Sequence, residues 1–311
     1  MSLPKRITLS ESGLRDGIQN EKIILSVEQK LEIINDLIDA GFTDMEGGSF
    51  VRGDRVPTMA NSPEVFERLD YTRSINYYAL VPNMRGLDRA IQAGAKLVGV
   101  GVSASEAHNI ANYNCTPAES LAAYGGIIEK ARANGLQLRS SVQMAFGSPW
   151  EHRIGLDNVK RLVDIYANYG IDTVIVCDTA GVAVPTQVYE MFEEFKRCYP
   201  HMNWILHLHN TRGAAMCNML AGMEAGVTCF ATSLAGLGGC PFVPNAAGNL
   251  STEDTLHLMD EMGIETGLDI DKVIAAARKL EKFVGHKGHS YILRAGKTSD
   301  LLSCVQRQGG N

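Results

Sequence analysis

Cysteine is sparse and unpatterned in this 311-residue chain: Cys115, Cys177, Cys198, Cys217, Cys229, Cys240 and Cys304 form no CxxC pair, and an odd number cannot all pair internally. Reduced thiols in a cytoplasmic protein are the simplest reading. Positive charge is in deficit as well. The 29 Lys+Arg against 35 Asp+Glu give a net charge of −6, which excludes whole-chain attraction to nucleic acid or to an anionic membrane and leaves room only for a local basic pocket. No stretch approaches the roughly 18 consecutive apolar residues of a membrane span. The opening Met1-Ser-Leu-Pro-Lys-Arg runs into Ile7-Thr8-Leu9 with neither an apolar signal core nor a Ser/Arg-rich transit helix. The expectation is a cytoplasmic protein without nucleic-acid or membrane partners. Proline is scarce, 10 residues beside 31 glycines, and with 45% hydrophobic and 21% charged residues the composition excludes global disorder and collagen-like repeats. The length suits one large α/β domain or two small ones.

What is present is alternation. Short aliphatic or β-branched runs at Arg6–Ser10, Thr43–Glu46, Asn76–Val81, Leu97–Val102, Gln137–Met144, Thr173–Cys177, Trp204–His209 and Cys229–Ser233 read as parallel strands buried on both faces. Between them lie helical stretches. Val27–Ala40 carries apolar residues at Leu31, Ile34, Leu37 and Ile38, with Ser26 as an N-cap and Gly41 just past the end. Further helices are expected near residues 86–94, 117–134, 156–170, 186–198, 213–226 and 252–263. Eight such units at about 35–50 residues each predict an α/β fold of the (β/α)8 TIM-barrel type over residues 6–265, with an open doubly wound sheet as the alternative. A C-terminal helix and loop-rich tail over 266–311 complete a single catalytic domain. Gly-His-Lys-Gly-His and Arg294-Ala-Gly-Lys297 in the tail read either as a basic rim or as a solvated end.

In such a barrel the active site forms at the C-terminal strand ends, so polar residues there carry the functional question. Strand 1 ends in Glu11-Ser-Gly-Leu-Arg15-Asp16-Gly-Ile-Gln19-Asn-Glu21-Lys22: a guanidinium for anionic oxygens beside a carboxylate for a cation, or a turn with a surface ion pair. Glu46 emerges from strand 2 ahead of Gly47-Gly48-Ser49-Phe50, either catalytic or paired to a base such as Arg15, because a buried carboxylate needs a partner. His207-Leu-His209 places two imidazoles on one face of strand 7, able to share one cation. Gly236-Leu-Gly-Gly-Cys240 describes a mobile lid carrying a thiol, or a buried cysteine on a tight turn. Asn249 is a neutral oxygen ligand or a helix cap, and Asp178-Thr179 position substrate oxygens or cap the next helix.

These residues converge. Arg15-Asp16-Gly-Ile-Gln-Asn-Glu21, Glu46 with Ser49-Phe50-Val51, Asn83, Ala104-Ser105-Glu106, Asn114-Cys115, Asp178-Thr179, His207-Leu-His209, residues 236–241 and Gly248-Asn249-Leu-Ser-Thr-Glu-Asp254 follow one another as in the 3-hydroxy-3-methylglutaryl-CoA lyase family, which the chain resembles over about residues 6–265. The resemblance implies a divalent cation, Mg²⁺, Mn²⁺ or Zn²⁺, on Asp16, His207, His209 and Asn249. It implies retro-Claisen cleavage of an acyl-CoA substrate to acetyl-CoA and an oxo acid. Arg15 then serves the thioester carbonyl, Cys240 the proton donor, Glu46 the orientation of the ligands, and Gln19, Ser49, Asp178 and Thr179 the substrate oxygens. His207 is the family candidate for taking the hydroxyl proton, with Asp16 or water as alternatives. The CoA phosphates are expected at Lys22, Arg52, Arg55 and Lys297, and a homodimer is expected. The familiar Glu-Thr-Thr-Ser-Phe is here Glu46-Gly-Gly-Ser-Phe50, Ser-Pro-Lys is replaced by residues 52–55, Gly-Cys-Pro-Tyr becomes Gly147-Ser-Pro-Trp150, and Asp-Thr after the second histidine becomes Asn210-Thr211. These departures put the identity of the acyl group in question, with citramalyl-CoA as a relative. Two other readings stay open: a condensing enzyme of the same superfamily, which usually carries a further C-terminal region, and a barrel that binds CoA or metal without turnover.

Overall fold

The computed structural model describes residues 3–239, 242–243 and 246–301. Strands β1 (Thr8–Glu11), β2 (Asp44–Ser49), β3 (Asn76–Leu80), β4 (Leu97–Ser103), β5 (Gln137–Gln143), β6 (Thr173–Asp178), β7 (Asn203–Leu208) and β8 (Cys229–Thr232) close into one parallel barrel in sequence order. Closure runs from Thr8 opposite Cys229 to Glu11 opposite Thr232. All eight expected strands exist, each within a few residues of its expected bounds, and most of their residues are buried, as expected of parallel strands covered on both faces.

Helices α1 (Val27–Asp39), α2 (Ser62–Glu67), α3 (Met84–Gln92), α4 (Glu106–Tyr113), α5 (Pro117–Ala133), α6 (Leu156–Asn168), α7 (Pro185–Cys198), α8 (Ala215–Glu224), α9 (Thr252–Glu261), α10 (Ile270–Val284) and α11 (Ile292–Ala295) surround the strands. A capping box starts α1: Gln29 N–H donates to Ser26 Oγ at 3.2 Å, and Ser26 N–H to Gln29 Oε1 at 2.9 Å. Gly41 then ends it at φ +103°, where a Cβ would stand 2.8 Å from the Gly267 carbonyl. Helix α4 escaped the sequence reading because its buried residues, His108 and Asn109, are polar and leave no apolar period. The C-terminal helix α10 lies along α1, with Lys279 Nζ at 2.7 Å from Glu32 and 2.6 Å from Asp36. Five cysteines, at 115, 177, 198, 217 and 229, are unpaired among the described residues, and no helix is long and apolar enough to cross a membrane.

One core residue joins two loops at the barrel mouth. Lys30 is 1% exposed; its ammonium donates to the Thr58 carbonyl at 2.7 Å and to Asn61 Oδ1 at 2.6 Å, without a carboxylate partner among the described residues. Thr58 Oγ1 in turn donates to Gln19 O, and Asn61 Nδ2 to Leu25 O. Burial pushes the Lys30 pKa down to about 8. Between that value and the ordinary 10.5 the unfolded chain binds more protons than the folded one, so stability rises with pH across this window and the charging cost is fully present below it. Denaturant unfolding of the protein and of Lys30→Met is expected to diverge by roughly 2–3 kcal/mol in favour of the wild type between pH 8 and pH 10. A pH-independent difference would contradict this account.

Candidate active site and metal centre

Strand β1 passes into a single π-helical turn, Gly13–Gly17, which turns Arg15 and Asp16 over the mouth. Glu11 pins this turn: its carboxylate accepts from Gly13 N at 2.7 Å, Leu234 N at 2.9 Å and Thr252 Oγ1 at 2.5 Å. It thereby ties the end of β1 to the turn after β8 and to the start of α9. Burial raises the Glu11 pKa to about 7 against these hydrogen bonds. Glu253 holds the same β8 turn from the other side, accepting from Ala235 N at 2.7 Å and from Ser251 Oγ at 2.8 Å.

Arg15 reaches back between two carboxylates, with Nη1 at 2.7 Å from Asp16 Oδ1 and Nε at 2.6 Å from Glu46 Oε1. Burial works against its charge, but Glu46 and Asp16 outweigh that and push its pKa up. Burial likewise raises the carboxyl of Glu46, with Arg15 opposing. For Asp16 the balance is reversed: burial raises it, yet Arg15, His207 and His209 together hold it well below the usual carboxylate range.

The other side of Asp16 faces the imidazoles. Its Oδ2 lies 3.7 Å from His207 Nε2 and 3.6 Å from His209 Nε2, while the two Nε2 atoms are 3.1 Å apart. Burial lowers the His209 pKa to about 4, so this ring is neutral near pH 7 with a free lone pair. Ligand atoms of all three residues lie within 4.8 Å of one another. One carboxylate and two imidazoles form a donor set suited to a divalent cation. Asn249 joins the cluster through its amide nitrogen, which donates to Asp16 Oδ2 at 2.7 Å and to Leu237 O at 2.9 Å; its Oδ1 is buried and has no partner among the described residues.

A cavity of about 100 Å³ opens over these groups, lined among others by Arg15, Asp16, Gln19, Glu46, Thr179, His207 and His209. Thr179 Oγ1 accepts from Met144 N at 3.0 Å at its edge. Two expected substrate residues do not line it. Asp178 accepts from the backbone N–H of Val182 at 2.9 Å and of Ala183 at 3.1 Å, which makes it a brace for its own loop; burial raises it to about 6. Ser49 Oγ donates to Leu80 O at 3.4 Å and accepts from Val51 N at 3.3 Å. Lys22, Arg52 and Arg55 are exposed on the β1 and β2 loops, Arg52 engaged with Asp54 at 2.6 Å. Lys297 lies elsewhere. It pairs with Asp271 in the first turn of α10, and that end of the helix, where Asp269 N–H donates to Ala40 O at 2.9 Å, is the base of the barrel. The chain reverses after α10, so the tail residue beside the mouth is His286, with Nε2 at 2.8 Å from Glu21 Oε2. Cys240 lies outside the described residues. Sequence reasoning missed Tyr78, His108, Asn112, Ser141 and Gln143, which also line the cavity; the two-residue period along β3 and β5 was the available signal.

A closed (β/α)8 barrel that gathers a carboxylate, two imidazoles and a buried arginine at its C-terminal mouth defines a barrel enzyme built to work with a divalent cation. Within that class the chain belongs to the HMGL-like family, whose model matches residues 6–280. Hydroxymethylglutaryl-CoA lyase YngG of Bacillus subtilis is 36% identical over 299 residues, 96% of this chain and 100% of that protein. The mitochondrial hydroxymethylglutaryl-CoA lyase of Rattus norvegicus is 35% identical over 94% of this chain and 90% of its own. A solved HMG-CoA lyase from A. baumannii, in complex with coenzyme A and 3-methylmalate, superposes with a TM-score of 0.91 at 35% identity, covering 96% of this chain and 98% of that one.

Proposed function

We propose that the protein is a carbon–carbon lyase that splits 3-hydroxy-3-methylglutaryl-CoA into acetyl-CoA and acetoacetate, or a close 3-hydroxy-3-carboxyacyl-CoA such as citramalyl-CoA into acetyl-CoA and the matching oxo acid. The observation that carries the reading is the convergence of Asp16, His207 and His209 beside Arg15. Asp16, His207 and His209 would hold Mg²⁺ or Mn²⁺, with Zn²⁺ compatible with the same donors, and Asn249 beside them. A cation there supplies Lewis-acid and template chemistry to a hydroxyl and its neighbouring oxygens.

The chain's own groups supply the rest. Glu46 and Asp16 hold the guanidinium of Arg15 rigid, so that its remaining N–H groups meet the thioester oxygen as negative charge grows there. Glu46 thus acts by positioning. A carboxylate oxygen of Asp16 or a water takes the hydroxyl proton, and His207 could do so only through a ring nitrogen that the cation does not hold. Cys240 returns a proton to the enolate carbon of the departing acetyl-CoA. The neighbouring Gly239 borders the cavity, and its carbonyl accepts from Asn20 Nδ2 at 2.5 Å. Lys22, Arg52 and Arg55, exposed on the loops after β1 and β2, would serve the phosphates of a CoA arm. A cytoplasmic location and a homodimer belong to the same proposal, the first supported by the unpaired thiols. Purified protein with Mg²⁺ is expected to release acetyl-CoA from at least one of the two thioesters. Release from neither by folded, metal-loaded protein overturns the reading.

A further inference from the structure

The cavity continues from the mouth down the barrel axis, and one side of it is hollow and polar. Inward positions of such barrels are ordinarily filled by layers of Val, Ile and Leu. Ile175 and Ile205 keep that pattern on β6 and β7, but Ser10, Ser141 and Ala231 face the cavity from β1, β5 and β8, and Gly99 and Gly101 stand on β4. A Cβ at Gly99 would stand 2.2 Å from Tyr78 Oη, and one at Gly101 would stand 2.2 Å from Ser141 Oγ and 3.2 Å from Gln143 Nε2. The missing side chains of β4 therefore make room for Tyr78, Ser141 and Gln143, a row of hydrogen-bonding groups leading inward from the mouth.

These groups are under-used. Gln143 Nε2 donates to Tyr113 Oη at 2.7 Å, but Gln143 Oε1 is buried and accepts from none of the described residues. The hydroxyls of Tyr78 and Ser141 have no hydrogen-bond partner among the described residues, although both residues line the cavity. Among the described residues no cation is free to draw a second carboxylate into this space: Arg15 is engaged by Glu46 and Asp16, and Arg139 by Asp44 at the floor. The occupant that satisfies the walls is a neutral group which both donates and accepts a hydrogen bond. That is a hydroxyl, accepting from Tyr78 O–H and donating to Gln143 Oε1. The chamber lies directly below His207, whose register neighbours are Cys177 and Ala231, with Ile205 one inward position deeper. A substituent on a carbon whose oxygens were held at the cation donors would lie on the side of this chamber.

We propose that Tyr78 and Gln143 are specificity-determining residues that select a hydroxyl-bearing C3 substituent, so that the preferred acyl group is a 3-hydroxyacyl-CoA with hydroxymethyl where 3-hydroxy-3-methylglutaryl-CoA has methyl. The inference rests on the cleavage reading above and adds the acyl class to it. A pocket with a buried acceptor rejects an occupant that lacks the matching donor more strongly than an apolar pocket rejects an extra hydroxyl.

The test is steady-state kinetics of acetyl-CoA release from 3-hydroxy-3-methylglutaryl-CoA and from 3-hydroxy-3-(hydroxymethyl)glutaryl-CoA, with the metal-loaded wild type, Gln143→Met and Tyr78→Phe. The wild type is expected to favour the hydroxymethyl thioester in kcat/KM by ~10-fold or more, and each variant to lose most of that preference, read as the ratio of kcat/KM for the two thioesters. Tyr78→Phe removes no hydrogen bond within the described protein, so its fold is expected to survive, and thermal melting checks both variants. A wild type that prefers the methyl thioester, or variants that slow both thioesters equally, overturns the specificity assignment and leaves the lyase reading standing. Release of acetyl-CoA from neither thioester rejects the lyase reading and the assignment together.

Discussion

His209→Ala is expected to weaken divalent-cation binding by more than the ~10–100-fold that follows loss of an outer-shell partner, because it removes a ligand outright. Cleavage is expected to fall with it. His209 is 4% exposed and neutral, its Nε2 sits 3.1 Å from His207 Nε2 and 3.6 Å from Asp16 Oδ2, and its Nδ1 has no partner. A ring in that position earns little from packing a polar edge against nothing, so truncation to alanine is expected to leave a folded barrel. Stability offers a readout independent of turnover. A cation that binds only the folded state adds about 2.7 kcal/mol at a concentration 100 times its dissociation constant. Thermal melting of the wild type should therefore rise with added Mg²⁺ or Mn²⁺, while that of His209→Ala should not. Full metal stoichiometry in the variant, or an unchanged metal-dependent rise in melting temperature, would remove His209 from the ligand set.

The strand ends were legible in the sequence because two constraints coincide there: an aliphatic run marks a strand buried on both faces, and an ionisable residue at its end has no reason to sit there unless something pairs with it. Glu46 illustrates the point, since the sequence already suggested Arg15 as its partner and the two groups are 2.6 Å apart. What the sequence hid was orientation. Asp178 was ambiguous between a substrate group and a cap for the next helix, and its carboxylate, turned toward Val182 N and Ala183 N ahead of α7, braces its own loop instead. Lys297 looked like part of a basic rim, but chain reversal after α10 sends it to the base of the barrel, a relation that no local pattern encodes. Tyr78 and Gln143 were hidden for a subtler reason. They sit inside runs whose overall character is that of a strand, and they gain access to the cavity only because glycines on the neighbouring strand β4 vacate the space they occupy. The π-helical turn at Gly13–Gly17 depends on Glu11 reaching Leu234, 223 residues away in sequence, and short-range signals cannot announce it.

Arg15→Lys is expected to lower kcat by ~10²–10³-fold, about 2.7–4 kcal/mol, the range for losing one oriented donor to a developing oxyanion. The substitution keeps the positive charge and so isolates geometry. Arginine meets Glu46 through Nε and Asp16 through Nη1 and still has further N–H donors for a substrate oxygen, whereas an ammonium of three donors that satisfies both carboxylates has at most one left and no fixed plane in which to present it. Arg15→Met is the harsher variant and is expected to fail differently. Glu46, buried with Arg15 as its ion-pair partner, would be stranded, and breaking a buried pair from one side costs ~3–5 kcal/mol. Double replacement of Arg15 and Glu46 by Met and Gln should recover most of that stability without recovering rate, which separates the structural part of the pair from its part in the chemistry. Metal-dependent melting is expected to persist in Arg15→Lys, because the ligand atoms on Asp16, His207 and His209 are untouched. A kcat within ~5-fold of wild type in Arg15→Lys would mean that charge alone suffices, and that the clamp made by Glu46 and Asp16 holds the fold rather than the transition state.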